Sequence, residues 1–240
     1  ADIDIVINLT WIKSHFSVSK MALESGKHVY SEKPISYTLE EAKELIDIAS
    51  IRGLKLSVAP CNFLGPAAQT VQKLLQDEVI GRVLIANASL QEGPVYLMGY
   101  ENWRSPSGIS WPYEEEFRMG CVYEHAGYYL SWLVHFFGHI TEMSGFSSTV
   151  IDSSFGRSEN DYGTDFASAG LKHDSGVYSH VNCSGITPSD NSLKIVGEKG
   201  VIEVENCWDF DTSVTISYLQ KINPGKGLNS KFVFSEKQEV

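Results

Sequence analysis

With 240 residues, 42% of them apolar and 20% charged, the chain is long enough to bury a core and to divide into two modest domains. A formal net charge of −11, with no local cluster of Lys and Arg to offset it, opposes polyanions and argues against nucleic acid and anionic membranes as partners. No apolar run approaches the roughly 20 residues of a spanning helix, and Cys61, Cys121, Cys183 and Cys207 are too scattered for a zinc site or a disulfide framework. The expectation is a soluble, cytoplasmic protein with reduced thiols that takes a small-molecule substrate.

Residues 3–9 are rich in Ile and Val without clean alternation, which suits a central parallel strand covered on both faces. Ser14 is placed to cap a helix carrying Phe16, Met21, Ala22 and Leu23, and Gly26 to end it. The strand His28 to Ser31 follows, and the order strand, helix, strand implies a right-handed parallel crossover. Thr38-Leu39-Glu40-Glu41 reads as a capping box. It opens a helix expected to bury Leu39, Ala42, Leu45, Ile46 and Ala49 and to stop at Gly53. Leu54, Leu56 and Val58 alternate as a third strand ending at Ala59-Pro60. Residues 1–60 thus predict a three-stranded partial Rossmann-like sheet.

Residues 61–240 follow another pattern. Pro66 begins a helix with Ala67, Val71, Leu74 and Leu75 on one face, and a strand spans Val83 to Leu90. Residues 91–119 lack sustained periodicity and predict a long irregular excursion of the kind that is more often functional than decorative. Gly120 to Phe137 reads as an apolar helix, and strands are predicted at 140–151, 163–172, 176–184, 192–204 and 213–220. Asp174-Ser175-Gly176 and Gly197-Glu198-Lys199-Gly200 are turns of antiparallel hairpins. The fold class is α/β plus α+β: a partial parallel sheet, then a domain with a mainly antiparallel open sheet flanked by helices.

Within Gly26-Lys27-His28-Val29-Tyr30-Ser31-Glu32-Lys33-Pro34 a lysine lies between a carboxylate and a proline at the end of a strand. The proline biases Lys33 toward extended backbone, and open α/β sheets bind ligands at the carboxyl ends of their strands. An ammonium there donates to a substrate hydroxyl or carbonyl, and desolvation suits it to proton transfer. On spacing alone a solvated surface lysine is the favoured alternative. The stretch resembles the G-K-H-V-x-x-E-K-P signature of the glucose-fructose oxidoreductase / inositol dehydrogenase family of NAD(P)-dependent enzymes, and the upstream strand, His15 and Ala22-Leu23 agree with it. The resemblance runs from Asp2 to about Val204. It implies cofactor contacts from Thr10, Trp11, His15, Glu32, Lys33 and Pro34, with Trp11 departing from the family's Thr-Pro turn; a solvent-facing His15 weighs equally.

Gly120-Cys121-Val122-Tyr123-Glu124-His125-Ala126-Gly127-Tyr128 resembles the family's helix motif G-x-x-x-D-x-G-x-H-x-x-D, with Glu124 at the Asp position, Ala126 at the Gly position, Tyr128 at the His position and Ser131 at the final Asp. Tyrosine in that place is similar to the branch with dihydrodiol dehydrogenase and implies Tyr128 as acid/base, Lys33 as the ammonium that favours its phenolate, and Glu124 as orienter of the substrate. Residues four apart share a helix face, whereas His125, adjacent to Glu124, points elsewhere, which defeats a two-ligand metal site. Tyr129 and Trp132 read as core. Trp103-Arg104 resembles the pair that precedes this helix in the family and implies substrate contacts, as does His125; a surface arginine packed on tryptophan weighs equally. No metal is expected, and Glu114-Glu115-Glu116 reads as a solvated run.

The resemblance implies an NAD- or NADP-dependent oxidoreductase acting on a sugar, polyol or cyclic diol, with residues 61–240 as the substrate-binding and oligomerisation domain of a homodimer or tetramer. No G-x-G-x-x-G occurs, so the cofactor site is incomplete and the sequence reads as a fragment. Two alternatives stand: a non-enzymatic ligand-binding or oligomerisation module, and an NAD-assisted glycosidase of the same family.

Overall fold

The computed structural model describes residues 2–151, 163–221, 232–235 and 237–240. The chain divides into two compact units, residues 1–61 and 62–240. In the first, β1 (Ile5–Asn8), β2 (His28–Ser31) and β3 (Leu56–Val58) form a three-stranded sheet in that order. Both pairings are parallel, with Val6 opposite Val29 and Val29 opposite Leu56. That row packs under α1 (Ile12–Glu24) and α2 (Leu39–Ile51), where Leu23, Leu45 and Ala49 complete the core.

The expectation of a central strand covered on both faces is corrected for β1. It lies at the sheet edge, and the alternate set Ile3, Ile5, Ile7 and Leu9 is 52–68% exposed. The strand is apolar on both sides, and the helices of this unit cover only one of them.

Helix α1 starts two residues before Ser14: Trp11 is its N-cap, in extended conformation and with no side-chain cap bond, so Ser14 is not the cap. Its end follows the sequence. Gly26 adopts φ +74°, its N–H donates to Leu23 O, and the Lys27 N–H donates to Ala22 O, which is the paired bonding of a Schellman stop. Gly53 and Leu54 end α2 in the same way. The capping box is formed: Thr38 Oγ1 accepts the Glu41 N–H at 3.2 Å, and Glu41 Oε2 accepts the Thr38 N–H at 3.3 Å. Leu39 and Ile46, expected inside, are 62% and 55% exposed, because the buried stripe of α2 runs through Leu45 and Ala49 with Ile48 beside them.

In the second unit a nine-stranded sheet is built from β4 (Val83–Gln91), β5 (Ile140–Ser148), β6 (Phe166–His173), β7 (Tyr178–Ser184), β8 (Leu193–Gly197), β9 (Gly200–Val204), β10 (Val214–Lys221), β11 (Phe232–Phe234) and β12 (Gln238–Glu239). The order is β11-β10-β9-β8-β4-β7-β6-β5, with β12 beside β10. Every pairing is antiparallel except β4 with β7. Both hairpins predicted from turn residues are present, β6–β7 closing at Gly176 with φ +84° and β8–β9 at residues 197–200. One face carries Ala86, Ala88, Leu90, Val181 and Ile195 against α3 (Pro66–Gln76) and α5 (Gly127–Phe137), with Tyr129, Trp132 and Leu133 in the same core.

The stretch 91–119 is more regular than its composition suggested. It holds 3₁₀ turns at Val95–Leu97 and Tyr100–Asn102 and then α4 (Tyr113–Cys121). Glu114, Glu115 and Glu116 occupy the first turn of α4, where carboxylates meet the positive end of the helix dipole. The run therefore has a structural role. Phe117 and Trp111 pack on Tyr100, with ring centroids 4.8 and 6.3 Å away.

Helical geometry breaks at Gly120, with φ +77° and ψ 166°. A Cβ there would lie 2.5 Å from both Thr164 N and Thr164 O, so the position is closed to side chains twice over. Helical backbone resumes at Cys121, and residues Val122–Ala126 form a π-helical turn that runs into α5. Among the described residues no helix is long and apolar enough to cross a membrane.

Candidate active site

The two sequence constellations fall in different units. In the first, the loops leaving the carboxyl ends of β1 and β2 are tied together from below. Asn8, 1% exposed, donates to His15 O at 3.0 Å and Ser19 Oγ at 2.9 Å, and its Oδ1 accepts from Thr10 N at 3.2 Å and Thr10 Oγ1 at 2.6 Å. His15 is neither solvent-facing nor free for a ligand. It is 1% exposed, with Nδ1 2.7 Å from Pro34 O and Nε2 2.8 Å from Thr10 O. Both neighbours are acceptors, so either neutral tautomer donates to one of them and only a doubly protonated ring serves both. His15 is a clip between the Thr10-Trp11 turn and the Glu32-Lys33-Pro34 loop.

On that crest Thr10 and Trp11 are exposed, while Glu32, Lys33 and Pro34 are half-buried. The Glu32 N–H extends the ladder to Asn8 O at 2.9 Å, and Glu32 Oε2 accepts the Lys33 N–H at 3.0 Å, which fixes the carboxylate beside the lysine. The Lys33–Pro34 peptide is cis. Tyr30, a further phenol in the same unit, is pushed up to about 12 by burial and by its hydrogen bond with Cys61, so it stays protonated at neutral pH. Among the described residues no glycine-rich turn joins a strand to a helix: the β1–α1 link is Leu9-Thr10-Trp11. The crest presents polar and aromatic groups on two pinned loops, and among the described residues no such turn is placed to receive a pyrophosphate.

In the second unit the π turn sets the geometry. A π turn closes on i→i+5 and takes up one residue more than an α turn, and such turns recur at functional sites. Glu124, on this turn, is 5% exposed, and a carboxylate so placed is costly unless its neighbours compensate it. His125 shares a surface with Tyr128, contrary to the face expected for it. Both rings meet the indole of Trp208, at centroid distances of 5.8 Å for His125 and 4.2 Å for Tyr128. His125 Nε2 also lies 3.1 Å from Glu92 Oε1, at the end of β4. Tyr129 and Trp132 are core, 0% and 1% exposed; burial pushes the Tyr129 phenol far above its ordinary range, and its OH donates to Asn191 O at 2.5 Å.

His125 and Tyr128 therefore meet at Trp208, with Glu124 buried on the π turn beside them in sequence, and Trp103 with Arg104 forms another group. Trp103 stacks on Trp111 at 4.9 Å, and Arg104 is exposed with Nη1 donating to Glu101 O and Trp103 O, both at 2.8 Å. Sequence reasoning missed Trp208, Glu92 and Asn62. The Trp208 N–H donates to Asn206 Oδ1 at 3.1 Å, an Asx turn that the Asn-x-Trp spacing signals locally. The Cys183 thiol donates to Cys121 O at 3.1 Å, and its bonding with Cys121 together with burial raises it strongly, so Cys183 anchors the end of α4. A polar cavity of about 710 Å³ between Asp190, Lys194, Glu203 and Lys237 holds the pairing of both lysines with Glu203 and is not lined by Glu124, His125, Tyr128 or Trp208. Among the described residues no cluster of His, Cys, Asp and Glu suits a metal.

Residues 1–60 match the family described as "Oxidoreductase family, NAD-binding Rossmann fold", and residues 68–203 match the GFO/IDH/MocA C-terminal domain. The chain belongs to the GFO/IDH/MocA family. Among curated relatives, scyllo-inositol 2-dehydrogenase (NADP(+)) IolW of Bacillus subtilis (strain 168) is 27% identical over 57% of this chain and 35% of its own length. Trans-1,2-dihydrobenzene-1,2-diol dehydrogenase of Oryctolagus cuniculus is 24% identical over 86% of this chain and 57% of its own. The chain thus spans less than two thirds of either relative. The crystal structure of an inositol dehydrogenase homolog from Azotobacter vinelandii, complexed with NADH and myo-inositol, shares the fold with TM-score 0.70 at 18% identity, covering 97% of this chain and 56% of that one.

Proposed function

We propose that the protein is an NAD- or NADP-dependent oxidoreductase that oxidises a carbinol of a polyol, sugar or cyclic diol, or reduces the matching ketone. The observation that supports it most is Tyr128, its ring set against Trp208 one turn beyond the buried Glu124, on a helix whose π turn re-aims both. The nicotinamide, when bound, supplies the hydride acceptor or donor. Tyr128 moves the hydroxyl proton, Glu124 orients the substrate, and Lys33 is assigned to the same reaction by the E-K-P motif. Thr10, Trp11, Glu32, Lys33 and Pro34 hold the nicotinamide end, with His15 as the clip beneath them. Trp103 and Arg104 are assigned to the substrate on the motif alone. Residues 61–240 form the substrate-binding and oligomerisation domain in this reading, and residues 1–60 the cofactor side.

Fluorescence titration of the full protein with NADH and NADPH tests the proposal. Saturable binding of one or both is the expected result, and no binding of either sinks it. The same reading places a contact between copies on the sheet face away from the helices. There Phe146 and Tyr178 are 66% and 54% exposed and lie in register with Ser168 and Ile85. Light scattering should report a dimer or tetramer; a monomer at all concentrations contradicts it.

A further inference from the structure

Trp208 lies on the loop between β9 and β10, far in sequence from the helix it meets, and the chain spends several bonds on holding it there. Cys207, fully buried, uses both its backbone groups: its N–H donates to Asn191 O at 3.0 Å, and its carbonyl accepts from Asn62 Nδ2 at 3.1 Å. The Trp208 N–H closes the Asx turn on Asn206, and the Asn206 N–H is held by Thr212 Oγ1 at 3.0 Å. The indole is therefore mounted on a fixed pedestal.

The amide of Asn62 adds the second half of the device. Asn62 is 4% exposed, and the same Nδ2 that reaches Cys207 O also reaches Tyr128 O at 3.4 Å. One amide thus pins the carbonyl of the residue bearing the phenol and the carbonyl of the residue before the indole. The two rings stand 4.2 Å apart between centroids and 40° from coplanar, slightly closer than the roughly 4.5–7 Å usual for aromatic pairs. One ring face of Tyr128 is occupied by the indole.

We infer that Trp208, with Asn62 behind it, is a positioning residue that fixes the ring of Tyr128 for proton transfer. The inference rests on the function proposed above, because only there does the aim of a phenol O–H control a rate. A phenol free to swing on χ1 and χ2 spends most of its time misaligned, and misplacement by an ångström lowers a rate about 100-fold.

The test compares Trp208→Ala, Trp208→Phe and Asn62→Asp in the full protein, with trans-1,2-dihydrobenzene-1,2-diol and scyllo-inositol as substrates and NADP⁺ or NAD⁺ as oxidant. Trp208→Ala should lower kcat about 10- to 100-fold while KM moves less than about threefold, since alignment and not binding is lost. Trp208→Phe should recover most of the loss, and Asn62→Asp, which removes the shared donor, should fall between them. Fluorine NMR of fluorotyrosine-labelled protein, with Tyr128 assigned through Tyr128→Phe, reads the ring pair without turnover: its resonance should move in Trp208→Ala. An unmoved resonance overturns the stack. A parent that turns over while Trp208→Ala keeps kcat within about twofold overturns the positioning role alone. A parent inert toward both substrates and unable to bind nucleotide overturns the proposed function, and the inference with it.

Discussion

Tyr128→Phe lowers kcat by about 10²- to 10⁴-fold, the range that a positioned acid or base contributes, which corresponds to roughly 3–5 kcal/mol of transition-state stabilisation. The substitution removes one oxygen and little else. Phenylalanine keeps the ring against Trp208 and the contact with the sheet core, so the melting temperature should stay within a few degrees of the parent. KM should change little, because Glu124 and the groups that hold substrate remain. Lys33→Ala should produce a loss of the same order. If the lysine and the phenol serve one proton transfer, the double variant loses much less than the product of the single losses. Unchanged turnover in both single variants sinks the assignment of the pair.

Gly120→Ala should destabilise the protein by about 2–6 kcal/mol, read as a lower urea midpoint in the unfolding of residues 62–240. Two costs add. At φ +77° and ψ 166° the backbone occupies a region essentially restricted to glycine, at about 1–3 kcal/mol for any other residue. The new methyl then meets Thr164 N and O at 2.5 Å, and backbone cannot swing aside as a side chain does; overpacking of this kind costs about 1–3 kcal/mol more. Gly163 presses on the same spot from the other side, since a Cβ on it would lie 2.5 Å from Gly120 N. Relief requires the segment at 163–164 to move, and Gly120 lies two residues before the π turn that carries Glu124, so activity should fall together with stability. A midpoint unchanged from the parent would show that the crossing of the two glycines is not as close as described.

The parts of this molecule legible in its sequence are those whose causes are local. The capping box at Thr38 and Glu41 and the glycine stops at Gly26 and Gly53 depend on groups a few residues apart, and each is present as bonds of ordinary length. The hairpins at Gly176 and residues 197–200 likewise need only their own turn residues. The Rossmann-like half, the mainly antiparallel second sheet and the family followed from the E-K-P signature and the Tyr128 helix read together.

What stayed hidden depends on distant partners. The π turn at Val122–Ala126 follows Gly120, whose break is set against Thr164, and no helical periodicity announces it. Trp208 meets Tyr128 where Asn62 bridges the carbonyls of Tyr128 and Cys207, 66 and 145 residues away along the chain. The parallel pairing of β4 with β7 inside an otherwise antiparallel sheet is a choice of topology and not of residue pattern. From sequence His15 reads as either a cofactor contact or a surface residue, since one helix position tells nothing of the two carbonyls that converge on it. Ser14 is the better cap by residue type, but Trp11, an unlikely cap by type, has the extended backbone of one and the helix starts there.

The central claim is that this chain belongs to an enzyme that passes hydride between a carbinol carbon and a nicotinamide. The most direct measurement follows deuterium from a carbinol-deuterated polyol or cyclic diol, incubated with the full protein and NAD⁺ or NADP⁺, into the recovered reduced nucleotide. Stoichiometric label in the nicotinamide ring, lost in Tyr128→Phe, is the expected result. Label that stays on the substrate or exchanges into water, with bound nucleotide unreduced across sugars, polyols and cyclic diols, would contradict it.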